Sequence, residues 1–218
     1  MGYIVGMVSQ KGGAGKTTLA RLFARELAKD GFSVKIADLD TQQKTCTEWA
    51  ADRAEGKIEP EIQAQPFGKL KTALGEAGRF DAYILDGRPH SSQQTLEIAR
   101  AADLTVIPTG QTKDDLRPAV QLANSLADTG VEPGRIAFAL VKTTNSQVEM
   151  AAARDYLRQT EYITLDGFLP VSTAYGIAHD AGKAVTETSH RTLNEKAARL
   201  AQAVIARLAE VTAAEEVA

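Results

Sequence analysis

The sequence predicts an α/β fold, a single domain built on a mostly parallel, twisted sheet with helices on both faces. Three observations carry that prediction. Short apolar runs of strand length alternate with amphipathic segments of helix length. The first run passes directly into a glycine-rich loop and then a helix. The 218 residues suffice for one sizeable core, with no internal repeat and no linker composition between candidate domains.

Taken in order, Tyr3 to Val8 (YIVGMV) reads as a buried strand. The helix from about Lys16 to Lys29 has an apolar stripe of Leu19, Leu22, Phe23 and Leu27, and Gly31 stops it. Further strands are expected at Ser33 to Asp38, Ala82 to Asp86, Leu104 to Pro108, Ile136 to Val141 and Ile163 to Leu169. Helical segments fall at about 44–54, 68–77, 115–128, 146–160 and 174–181, with a long closing helix from about Thr192 to Glu210. The domain is expected over residues 1–211, with 212–218 as a frayed tail. In open sheets of this kind ligands bind beyond the carboxyl ends of the strands.

Composition narrows the function. No apolar run reaches the length of a membrane span. Tyr3 to Val8 is too short for a signal-peptide core and has no basic segment before it, so a cytoplasmic protein without a stable membrane anchor is expected. Cys46 is the single cysteine, which excludes an intrachain disulfide, and a zinc or iron-sulfur site would need ligands from elsewhere. His90, His179 and His190 lack ligand spacing. A net charge of -3 confines any nucleic-acid binding to a local patch.

The chemistry is concentrated in residues 9–18, SQKGGAGKTT. A phosphate loop reads Gly, four residues, Gly, Lys, then Ser or Thr; here Gln10 stands at the first glycine, and a second lysine, Lys11, stands beside it. Gly12, Gly13 and Gly15 free the backbone so that its N–H groups and the following helix N-terminus converge on an anion. The cradle is expected to comprise Gly12, Gly13, Ala14, Gly15, Lys16, Thr17 and Thr18. In it Lys16 neutralises the β- and γ-phosphates and the Thr17 hydroxyl ligates Mg²⁺. The expected fold is therefore a single P-loop NTPase domain. Asp38, Asp40 and Asp86 close neighbouring strands, where carboxylates can hold magnesium water and orient an attacking water. Asp38 reads alternatively as a helix N-cap.

Lys11 to Thr18, then DLDTQ at 38–42 and FDAYILD at 80–86, then ADLTVIPTG at 102–110 and AYGIAHDAGKAVTE at 174–187, resemble the ParA/MinD family of deviant Walker A ATPases. The motifs occur in order over most of the chain, and the likeness is greatest to small ParA-type partition ATPases. The resemblance implies ATP and Mg²⁺ as cofactors. It also implies a nucleotide-sandwich homodimer in which Lys11 reaches the partner's phosphates while Lys16 acts in cis. By the same resemblance Asp40 is the water-activating residue of switch I. Asp86 is the Walker B carboxylate acting on magnesium through water, with Thr17 and Asp40 beside the same metal. Pro170, Val171 and Asn145 are carried over to the adenine pocket. Hydrolysis would be slow until stimulated by a ParB-like or cargo adaptor protein.

The chain departs from the family pattern in places. Thr41 follows the switch I aspartate where proline is frequent. Switch II reads Asp86-Gly-Arg-Pro89, which brings Arg88 near the expected γ-phosphate, either to stabilise charge or to pair with a carboxylate. On the closing helix Lys196, Arg199 and Arg207 flank the apolar face of Leu193, Leu200, Val204 and Leu208. Spacing alone suits a solvated flank as well as a DNA-binding one. Basic C-terminal residues hold nonspecific DNA in the family, and that favours DNA. The expected function is therefore an ATPase switching between monomer and DNA-binding dimer to partition DNA or position a large cargo, associated with the nucleoid. With the first strand starting at Tyr3, it would be the small type without its own operator-binding domain. A MinD-like membrane role fits less well, because the end ARLAEVTAAEEVA is alanine-rich and acidic. A metabolic enzyme of the same superfamily would need a substrate pocket that no motif marks.

Overall fold

Tyr3–Met7 forms β1, flanked in parallel by β4 (Ala82–Asp86) and β5 (Leu104–Thr109). In the computed structural model, residues 2–89 and 92–217 are described, with the side chains of 212 and 214–217 excepted; His90 lies outside the described residues. The sheet extends through β2 (Val34–Asp38) and β3 (Gln63–Pro66) on one side and β6 (Ile136–Thr143) on the other. β7 (Ile163–Thr164) and β8 (Leu169–Pro170) both pair with β6, and every ladder is parallel. The register sets Met7 opposite Asp86, and Asp38 opposite Asp86, so three strand ends deliver their chemistry to one place.

Strand side chains alternate between two cores. Ile84, Val106, Ala137 and Ala139 pack under α1 (Lys16–Lys29), α2 (Thr45–Glu55), α7 (Thr173–Asp180) and α8 (Arg191–Val217). Tyr83, Leu85, Ile107, Phe138 and Leu140 pack under α3 (Leu70–Ala77), α4 (Ser92–Ala101), α5 (Lys113–Asp128) and α6 (Gln147–Arg158). Burial on both faces explains why these strands read as continuous apolar runs. The stripe of α1 is fully buried, and its end is a Schellman turn: Gly31 takes φ 93°, and Phe32 N–H reaches the Leu27 carbonyl at 3.1 Å.

Four elements differ from expectation. β3 is an edge strand of sequence QAQP that buries little, so it carries no apolar signal. α4 buries only Thr95, Ile98 and Ala99, a stripe too narrow to stand out. The expected strand Ile163 to Leu169 is split into β7 and β8 at Asp166-Gly167, where Gly167 takes φ 81°. α8 continues to Val217, beyond the expected end at about Glu210; alanine and glutamate there are strong helix formers.

Candidate nucleotide site

The loop between β1 and α1 turns on two left-handed glycines, Gly13 (φ 66°) and Gly15 (φ 105°). Gly15 is also tight: a Cβ there would lie 3.2 Å from Val141 Cγ2. Lys16 opens α1 directly after it. Lys16 is buried, and its ammonium has no hydrogen-bond or ion-pair partner among the described residues. Burial pushes its pKa below the usual lysine range, opposed by Asp86 and Asp40. A desolvated cation at the positive end of a helix is doubly unfavourable, and an anion in the loop relieves both costs. Gly12 to Thr18 line a cavity of about 360 Å³ that also admits Arg21, Asp40 and Lys142.

At the sheet end, Asp86 Oδ2 accepts from Thr17 Oγ1 at 2.8 Å and from Cys46 Sγ at 3.3 Å. Its Oδ1 is buried with no partner. Burial raises the Asp86 pKa to about 6, against the Thr17 hydrogen bond. An orphaned carboxylate oxygen beside a threonine hydroxyl suits a hydrated Mg²⁺, which takes one or two protein oxygens and completes its shell with water and phosphate. No group of three or more His, Cys, Asp or Glu side chains that could hold a metal ion occurs among the described residues.

Asp38, which ends β2, and Asp40, two residues beyond it, divide. Asp38 Oδ2 accepts from the N–H groups of Cys46 (3.0 Å) and Thr47 (3.2 Å) and from Thr47 Oγ1. Lys44 at the helix start offers no side-chain cap, so Asp38 caps α2 from the strand, which is the structural alternative expected for it. Asp40 is half-buried at the cavity edge, its Oδ1 accepting from Gln42 and Gln43 N–H at 3.3 and 3.2 Å. Lys11 does not line this cavity; it is 60% exposed, with Nζ 2.5 Å from Asp115 Oδ1 on α5. Arg88 is exposed, and its N–H donates to Gln94 Oε1 at 3.2 Å.

A second cavity of about 370 Å³ adjoins the loop at Gly15 and Thr18 and is walled by Pro170, Val171, Tyr175 and His179. His179 Nε2 has no hydrogen-bond partner there. Burial, helped by the nearby Arg21, lowers the His179 pKa to about 4, so the ring is neutral at pH 7. Asn145 is not at this cavity. It lies exposed between α6 and α8, accepting from Lys196 Nζ at 3.1 Å, because β6 ends at Thr143 and the chain turns there towards α6.

The sequence matches the CobQ/CobB/MinD/ParA nucleotide-binding domain over residues 5–215. The chain belongs to this family. It is 26% identical over 208 residues to the maintenance of carboxysome distribution protein A of Gloeobacter kilaueensis, covering 95% of this chain and 92% of that protein. It is 32% identical over 133 residues to the chromosome-partitioning ATPase Soj of Thermus thermophilus. That match covers 48% of this chain and 53% of Soj, so it spans about half the length of that relative. Among solved structures, the septum site-determining protein MinD of Pyrococcus horikoshii, complexed with Mg-ADP, superposes with a TM-score of 0.74 at 15% identity, covering 94% of this chain and 96% of the other.

Within this ParA/MinD-type frame the basic residues of α8 separate. Lys196 and Arg199 border a groove of about 710 Å³ with Arg154 and Phe168. Lys196 Nζ lies 5.0 Å from the Phe168 ring centre, and Arg199 pairs with Asp166 through Nε (2.8 Å) and Nη2 (2.6 Å). Arg207 does not extend this group. Its guanidinium is 20% exposed and bound to the Gly134 carbonyl and to Glu210. Sequence reasoning missed Asp115, Lys142 and His179. Asp115 and Lys142 follow or end strands β5 and β6, and the strand-end rule could have flagged both. No local signal marks His179.

Proposed function

We propose that this chain is a Mg²⁺-dependent ATPase that switches between a monomer and an ATP-bound sandwich homodimer, and that the dimer holds nonspecific DNA to partition DNA or position a cargo. The observation that carries the reading is the pair of lysines in one loop: Lys16 buried and, among the described residues, unpaired at the helix N-terminus, Lys11 exposed and outside the cavity that Lys16 lines. One lysine suffices for the phosphates of its own subunit, and in this reading the exposed second serves a neighbour's, as an arginine finger does.

In this reading the loop N–H groups and Lys16 bind the triphosphate. Thr17 and Asp86 hold magnesium, whose contribution is to neutralise phosphate charge. Asp40 orients the attacking water from the cavity edge. Pro170 and Val171 enclose the base beside the neutral His179. Lys196 and Arg199 supply phosphate contacts to DNA, with Arg154 in the same groove. Cargo positioning is the first choice in this reading, supported by the names of two relatives, one for chromosome partitioning and one for carboxysome distribution; an adaptor that stimulates turnover is part of the same proposal.

The test is duplex DNA of unrelated sequence titrated with the protein in ATP analogue and in ADP. Binding that requires the triphosphate and weakens steeply with salt is expected. Equal or absent binding in both nucleotides would remove DNA from the proposal.

A further inference from the structure

Between the phosphate loop and α5 the second lysine is held by a prepared acceptor. Asp115 Oδ1 takes Lys11 Nζ at 2.5 Å, while its Oδ2 accepts from Thr112 Oγ1 at 2.9 Å. Gly110 leaves the room for this carboxylate, since a Cβ there would stand 2.3 Å from Asp115 Oδ2. The contact joins residues 104 positions apart. The Lys11 pKa is raised, chiefly by the Asp115 hydrogen bond; Asp115 is held below the usual carboxylate range because Lys11 and Thr112 outweigh its burial.

A second cation stands by. Lys142 sits at the end of β6 on a left-handed backbone (φ 53°), and it lines the same cavity as Lys11 and Asp115. It lowers the Asp115 pKa by its charge and has no hydrogen bond or ion pair of its own among the described residues. If Lys11 left, the Asp115 carboxylate would still face a positive charge.

We propose that Asp115 is a positioning residue that parks Lys11 on its own subunit, so that two copies can pair across nucleotide only when the Lys11–Asp115 contact opens in both. The inference rests on the reading of Lys11 as a residue that acts in trans. It makes dimerisation, and with it DNA binding, depend on a carboxylate outside the nucleotide cradle. Lys142 limits the cost of opening by remaining beside the freed carboxylate.

The test is light scattering of the full chain over a range of protein concentrations with Mg²⁺ and a non-hydrolysable ATP analogue. An exposed ion pair holds by a factor of about two to five, and two must open per dimer. Asp115→Asn, which keeps the side-chain volume, is therefore expected to dimerise at about four- to 25-fold lower concentration than wild type. Its ADP affinity and melting temperature should be unchanged. Asp115→Glu, which restores the charge, is expected to return towards wild type, a rescue that a role in shape alone would not give. Dimerisation of Asp115→Asn at or above the wild-type concentration overturns the proposal. If at the same time Lys11→Ala stays monomeric, the trans reading of Lys11 survives that failure. If Lys11→Ala pairs like wild type, both fall together.

Discussion

The hydroxyl of Thr17 donates to Asp86 Oδ2 across 2.8 Å, fastening the first turn of α1 to the end of β4. The other oxygen of Asp86 is left buried and unbonded. Asp86→Asn preserves an acceptor for Thr17 and removes a charge that burial disfavours, so the nucleotide-free protein is expected to melt no lower than wild type. Loss of the carboxylate is expected to reduce Mg²⁺-dependent hydrolysis about 10- to 100-fold. Single-turnover hydrolysis over a magnesium titration measures this, and an unchanged magnesium requirement would exclude Asp86 from the metal site.

Lys16→Met separates stability from binding. Removing a buried ammonium that has no partner among the described residues is expected to raise the melting temperature, each ~1 kcal/mol being worth about 2 to 4 °C in a domain of this size. Nucleotide affinity is expected to be lost in calorimetry. A variant that melts lower and still binds ATP would reverse both assignments.

His179 makes the fold acid-sensitive. Its folded pKa of about 4 lies below the usual 6.5, so between those values the unfolded chain binds more protons and stability falls as pH drops. The contribution is complete above pH 6.5, fades through the window and is gone below about pH 4, amounting to about 2 kcal/mol after allowance for partial exposure. His179→Gln is expected to flatten denaturant-measured stability between pH 6.5 and 4.5. The same slope in wild type and variant would assign the acid sensitivity elsewhere.

Arg199 is held by Asp166, which under the proposed DNA role competes with any phosphate that approaches the groove. Asp166→Asn is expected to tighten binding of random duplex DNA to the nucleotide-loaded protein. Arg199→Glu is expected to weaken it and to reduce the salt dependence by about one phosphate contact. Arg207→Glu is expected to lower stability and leave DNA affinity nearly unchanged, because Gly134 and Glu210 already occupy that guanidinium. Fluorescence anisotropy at matched salt distinguishes these outcomes.

The parts of the site that were legible in the sequence are those fixed by local chain geometry. Gly13, Gly15 and Lys16 announce themselves because a strand, a left-handed turn and a helix start are written within ten residues. Asp86 follows from the end of an apolar run, and the parallel register delivers it to Thr17. Asp38 could not be resolved from sequence, since capping α2 depends on where residues 45–47 return in space. Asp115, Lys142 and His179 reach the nucleotide region only through the packing of α5, β6 and α7 around it. β3 and α4 escaped because they bury too little apolar surface to set a period.

The trans role of Lys11 is tested most directly by the mass of the protein in solution with Mg²⁺ and a non-hydrolysable ATP analogue, measured by light scattering for wild type, Lys11→Ala and Asp40→Ala. Wild type is expected at dimer mass with the analogue and monomer mass with ADP. Lys11→Ala is expected to bind nucleotide yet stay at monomer mass. Asp40→Ala keeps Lys11 and the phosphate contacts while losing the group that orients water, and is expected to remain a dimer even in ATP itself. A wild type that stays monomeric with the analogue, or a Lys11→Ala variant that pairs as readily as wild type, would contradict the account.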